Sequence, residues 1–166
     1  MLIIDHSIVF TIYIIINNSE KEDLVTEMLK IAKEEIEHFQ LVHEIIKQRG
    51  LELCRERKDD YVGKLYEFMK KGGNRTEVLV DRLLFAAMIE ARSCERFKVL
   101  SENIKDKELS DFYHELMISE AGHYTLFLKL AKQYAAGLDV DKRWQEFLDF
   151  EGTVIAKYGN KETVHG

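Results

Sequence analysis

Residues 28–45 read MLKIAKEEIEHFQLVHEI, and steps of three and four residues place Met28, Ile31, Glu35, His38, Val42 and Ile45 on one face of a helix. That face is the seam a helix turns towards its neighbours, where leucine is the ordinary occupant. Here a carboxylate and an imidazole hold two of its six places. An ionised side chain buried without a partner is strongly unfavourable, so carboxylates are found inside proteins only when paired or bound to a metal.

The same anomaly recurs further along. Residues Leu116, Glu120, His123, Phe127 and Leu130 form a second seam, with Glu and His again three apart, and Glu90 interrupts a third between Leu83, Ala87 and Cys94, Phe97. Glu-x-x-His alone says little. With 20 Glu and 6 His in 166 residues, chance gives roughly 0.7 such spacings, and a third example, Glu162 with His165, falls in the tail and carries no weight. Position supplies the specificity. If the third and fourth helices fold back near Lys105, a rise of about 1.5 Å per residue brings Glu90 level with Glu120 and His123. If the first stretch turns back near Ser19, Asp5 and His6 fall level with Glu35 and His38, though Asp5 also reads as a simple cap. Oxygen and imidazole donors without thiolate suit iron or manganese better than structural zinc. Cys94 reads as a small core residue, His43 and His114 as surface residues, and Phe97, Phe112, Phe127 and Tyr134 as core.

Around these seams the chain reads as all-α. Proline is absent and glycine numbers 9, while long runs of Leu, Ile, Glu, Lys and Ala favour helices. Ser19 with Glu22 reads as a capping box opening the helix that Gly50 ends. A shorter piece from about Asp60, closed by Gly72 and Gly73, reads as a crossover. Asn74 and Glu77 open a helix to about Glu102, another runs from about Asp106 to Gly137, and 141–158 forms a terminal helix. Residues 1–16 are rich in β-branched isoleucine, which favours strands. A lone strand has no partner in such a chain, whereas a buried helix completes two antiparallel pairs, first with second and third with fourth. The expectation is one domain over 1–166, a four-helix bundle with a crossover helix and an additional C-terminal helix, and a tail from about 159.

Residues 1–16 lack a basic leading region and a small-residue cleavage site, and fall short of the ~20 residues that span a bilayer. They read as a buried element, not a signal or anchor. Two cysteines, Cys54 and Cys94, provide neither a disulfide framework nor zinc-type spacing, which fits a reducing cytoplasm. The net charge of -6 argues against a protein that simply coats nucleic acid. Locally the balance reverses: segment 47–82 holds ten Lys and Arg against seven Asp and Glu.

The strings IEARSCERF at 89–97, SEAGHY at 119–124, KEEIEHFQLV at 33–42 and DVDKRWQEF at 139–147 closely resemble the tRNA 2-methylthio-isopentenyladenosine hydroxylase family, the MiaE type, from about Asp23 onward. The resemblance implies a ferritin-like di-iron monooxygenase that uses dioxygen to hydroxylate the isopentenyl group of a hypermodified adenosine beside the tRNA anticodon. It carries Glu35, His38, Glu90, Glu120 and His123 over as ligands of two iron ions. No flavin or nicotinamide fingerprint is visible, so electrons are expected from a separate reductase. The basic segment is the candidate grip on the anticodon stem-loop. The front of the chain departs from the family, whose first helix follows Asp-His with a Glu ligand: after Asp5-His6, Phe10 or a neighbour occupies that place, leaving Asp5 as the available substitute. Two rival readings keep the scaffold: a ferritin- or rubrerythrin-like iron-oxidising or peroxide-scavenging protein, and a metal-deficient relative without catalysis.

Overall fold

The computed structural model describes residues 4–53 and 60–158, the side chains of 4–7 and Tyr158 excepted. Among them are six helices and no strand: α1 (Ile4–Asn17), α2 (Glu22–Gln48), α3 (Asp60–Phe68), α4 (Arg75–Asn103), α5 (Lys107–Gln133) and α6 (Val140–Tyr158). The chain forms two compact units, Met1–Lys58 and Asp59–Gly166.

The first unit is the α1/α2 hairpin. Isoleucine-rich α1 is helical despite its strand propensity, because tertiary packing outweighs the small intrinsic preference. Thr11, Ile14 and Asn18 are buried along one stripe, as are Leu24, Met28, Ile31, Ala32 and Glu35 of α2. Two expectations fail here. Helix α1 is not a buried element, since Val9 and Ile16 are 70% and 71% exposed. The Ser19–Glu22 capping box does not form either: the cap is Lys21, without a side-chain hydrogen bond. Asparagines take over the turn, with Asn18 Nδ2 donating to the Ile14 carbonyl at 2.9 Å and the Lys21 amide to the Asn18 carbonyl at 2.9 Å. Ser19 therefore sits inside a turn and not ahead of a helix.

In the second unit α4 is the central rod. Residues 83–90 are all buried, the mark of an element surrounded by protein. Its start follows the sequence, with the Asn74 side chain accepting from the Thr76 amide at 2.8 Å. Asp106 caps α5 by accepting from the Leu109 amide. Helices α4 and α5 are antiparallel: Cys94 lies 3.5 Å from the Met117 carbonyl, Phe97 stacks on Tyr113, and the Ser110 hydroxyl donates to the Ser101 carbonyl at 2.8 Å. Gly137 at φ 92° and Ala136 at φ 47° turn the chain into α6. Burial of Leu65, Leu83, Leu84, Phe127 and Phe147 contributes about 1.5–3 kcal/mol each.

Two buried ion pairs fasten α3 and α6 to α4. Arg143 of α6 forks onto Asp81 of α4, Nε to Oδ1 at 2.9 Å and Nη2 to Oδ2 at 2.6 Å, while the Lys70 amide donates to Asp81 Oδ2 at 2.7 Å. The guanidinium lies over the rings of Phe68 and Phe147. Eleven residues further along α4, Arg92 donates to Glu151 Oε1 from Nε at 3.1 Å and Nη2 at 2.6 Å, and the buried Tyr61 hydroxyl donates to the same oxygen at 2.6 Å. Asp81 to Arg143 and Arg92 to Glu151 advance together, so α6 runs parallel to α4. Tyr61 lies at the second clamp and Lys70 at the first, so α3 runs antiparallel to both.

Candidate metal centre

Antiparallel pairing of α4 and α5 puts Glu90 level with the turn between Glu120 and His123, as the fold-back at Lys105 predicts. One ligand atom from each of these three residues lies within 4.8 Å of the others. All are buried: Glu90 is 2% exposed, Glu120 and His123 4% each. Two carboxylates packed this closely, away from water, repel as anions. A cation between them removes the repulsion and uses their acceptor-only oxygens. The donor set therefore fits a metal centre.

In the first unit Glu35 is 2% exposed and the His38 side chain 14%, with His38 Nδ1 3.8 Å from Glu35 Oε1. That separation exceeds a hydrogen bond and leaves carboxylate and imidazole side by side on one face. His43 and His114 are exposed, as their off-seam places require. Phe127 is core, whereas Phe97, Phe112 and Tyr134 are half-buried. Cys94 is half-buried too, and burial, followed by the charge of Glu95, pushes its thiol pKa up, away from the thiolate that binds metals. Cys54, Glu162 and His165 lie outside the described residues, as do the side chains of Asp5 and His6.

Of the basic segment, Arg55, Arg57 and Lys58 also lie outside the described residues. Lys64 pairs with Glu67 at 3.6 Å, Lys70 with Glu77 at 3.3 Å, and Lys71 sits over the Tyr66 ring. The two clamps on α4 escaped the sequence reading. Their signal was present: Asp81 and Arg92 are charged residues in an apolar run, eleven positions and so only about 20° apart around the helix. Glu90 faces nearly the opposite way, about 200° from Arg92. Burial, then Glu151, holds the Tyr61 phenol far above the ordinary tyrosine pKa.

The helical scaffold is that of a ferritin-like protein, and its buried carboxylate–imidazole cluster fits a metal centre. A solved structure titled "Protein 43 with aldehyde deformylating oxygenase activity from Synechococcus" is similar over 98% of this chain and 82% of its own, with a TM-score of 0.86 and 28% identity. The family profile described as tRNA-(MS[2]IO[6]A)-hydroxylase (MiaE) matches residues 2–166, and the chain belongs to that family. Two curated relatives are both named tRNA 2-(methylsulfanyl)-N(6)-isopentenyladenosine(37) hydroxylase. The one from Pseudomonas putida is 40% identical over 118 residues, 71% of this chain and 56% of its own length. The one from Salmonella typhimurium is 35% identical over 132 residues, 80% of this chain and 47% of its own. The chain thus spans about half the length of the curated relatives it matches.

Proposed function

We propose that this chain is a dioxygen-dependent di-iron monooxygenase that hydroxylates the isopentenyl group of 2-methylthio-isopentenyladenosine in tRNA. The observation that carries the reading is the buried Glu90, Glu120 and His123 cluster in a chain of this family. Glu35 and His38 complete the ligand set in this proposal. Repetition of Glu-x-x-His on seam positions and the burial of Glu35 support their inclusion.

Iron held there supplies the activation of dioxygen that an unreactive prenyl carbon requires. The overall reaction inserts one oxygen atom into a C–H bond and sends the other to water, consuming two electrons and two protons. A separate reductase delivers the electrons. The protein's own share is ligation, placement of the side chain of the modified base, and exclusion of bulk water by the apolar residues around Glu90. Segment 47–82 grips the anticodon stem-loop, with the modified base unstacked into the bundle, as proteins usually read single-stranded RNA.

Isopentenylated tRNA incubated with iron-loaded protein, dioxygen and a reductant is digested and its nucleosides separated. A hydroxylated nucleoside one oxygen heavier than the substrate is the expected product, labelled when ¹⁸O₂ is used. Unchanged nucleosides from a fully loaded protein reject the proposal. Salt-sensitive tRNA binding separates the hydroxylase from an iron-storage or peroxide-scavenging relative.

A further inference from the structure

Ser93 lies on α4 one turn beyond Glu90, is fully buried, and its hydroxyl has no hydrogen-bond partner among the described residues. A serine inside a helix ordinarily donates back to a carbonyl three or four residues earlier, and here it does not. Buried hydroxyls left this way are strongly disfavoured, so each one in a folded protein calls for a reason. Side chains three apart on a helix have Cβ atoms about 5–6 Å apart, which makes Ser93 a neighbour of the carboxylate that the metal centre uses. A hydroxyl both donates and accepts, so it suits a small neutral or anionic oxygen or nitrogen ligand. The two residues that flank Glu90's turn otherwise give nothing of the kind: Ala87 is a methyl group, and the Cys94 thiol faces the Met117 carbonyl.

We propose that the Ser93 hydroxyl is the hydrogen-bonding group reserved for a small exogenous molecule, water at rest or dioxygen in turnover, that occupies the metal centre beside Glu90. The inference rests on the metal-centre reading above. Ser93 touches the small ligand and leaves the metal's protein ligands unchanged, so its loss weakens ligand capture without emptying the site.

The test uses the full chain loaded with ferric iron and titrated with azide, followed by absorbance, alongside melting curves of the metal-free protein. For Ser93→Ala the expected result is unchanged iron content, a melting temperature equal to or above that of the unsubstituted protein, and azide bound about tenfold more weakly, the worth of one hydrogen bond. Ser93→Thr, which keeps the hydroxyl, is expected to restore the affinity. Equal azide affinity in Ser93→Ala overturns the inference. So does a lower melting temperature of metal-free Ser93→Ala, which reveals a structural partner for the hydroxyl. If the unsubstituted protein takes up no iron, the metal-centre reading fails and this inference with it; iron uptake with an unaffected Ser93→Ala removes this inference alone.

Discussion

Glu90 and Glu120 sit where a helix seam would ordinarily carry leucine, close enough to repel one another when both are ionised and to share a cation. Glu120→Ala is therefore expected to lower bound metal at least tenfold, measured by elemental analysis after dialysis, and unchanged metal content would remove it from the ligand set. A large loss of apo stability would instead make Glu120 part of a structural polar network. Tyr61 gives a pH signature. Its phenol titrates near pH 10 when unfolded and well above that when folded, because burial and Glu151 oppose the phenolate. The stability it contributes is complete below about pH 10 and lost as pH rises further, since unfolding then releases a proton. Tyr61→Phe should show a shallower fall in melting temperature between about pH 9 and 11 than the unsubstituted protein; equal slopes would contradict the buried, Glu151-bonded phenol.

At the scale of helices, Arg143 is the joint of α3, α4 and α6, and its pair with Asp81 is almost dry, with side-chain exposures of 16% and 3%. Removing one partner strands the other, so Asp81→Ala is expected to cost about 3–5 kcal/mol in chemical denaturation, and the Asp81→Leu, Arg143→Met double variant to recover much of it. On α1 the exposed Val9 and Ile16 carry no such duty, and Val9→Lys or Ile16→Lys should shift stability by no more than about 0.5 kcal/mol. These elements also mark where sequence reading succeeds. The boundaries of α4 and α5 were legible because Asn74 and Asp106 cap their own amides, a local act between residues two or three apart. Glu90, Glu120 and His123 were legible because polar residues broke an apolar period. The exposure of α1 was not, since apolarity says that a face is buried somewhere but not which residues of an apolar helix do it. The clamps were not either, because partners 59 and 62 positions apart meet only through the packing itself.

For the molecule as a whole, the proposed binding of an anticodon stem-loop by a chain of net charge -6 would have to draw on local basic residues against an unfavourable background. The dissociation constant, followed by fluorescence anisotropy, is expected to rise tenfold or more between 50 and 200 mM salt, the mark of roughly two or more phosphate contacts; salt-independent binding would remove segment 47–82 from the interface. The two ion-pair clamps lie on the side of α4 turned away from Glu90 and involve none of Glu90, Glu120 and His123. The second unit is therefore expected to keep its shape when the Glu90, Glu120 and His123 cluster is emptied, so that chelation should leave its helical circular dichroism unchanged and refilling should need no refolding.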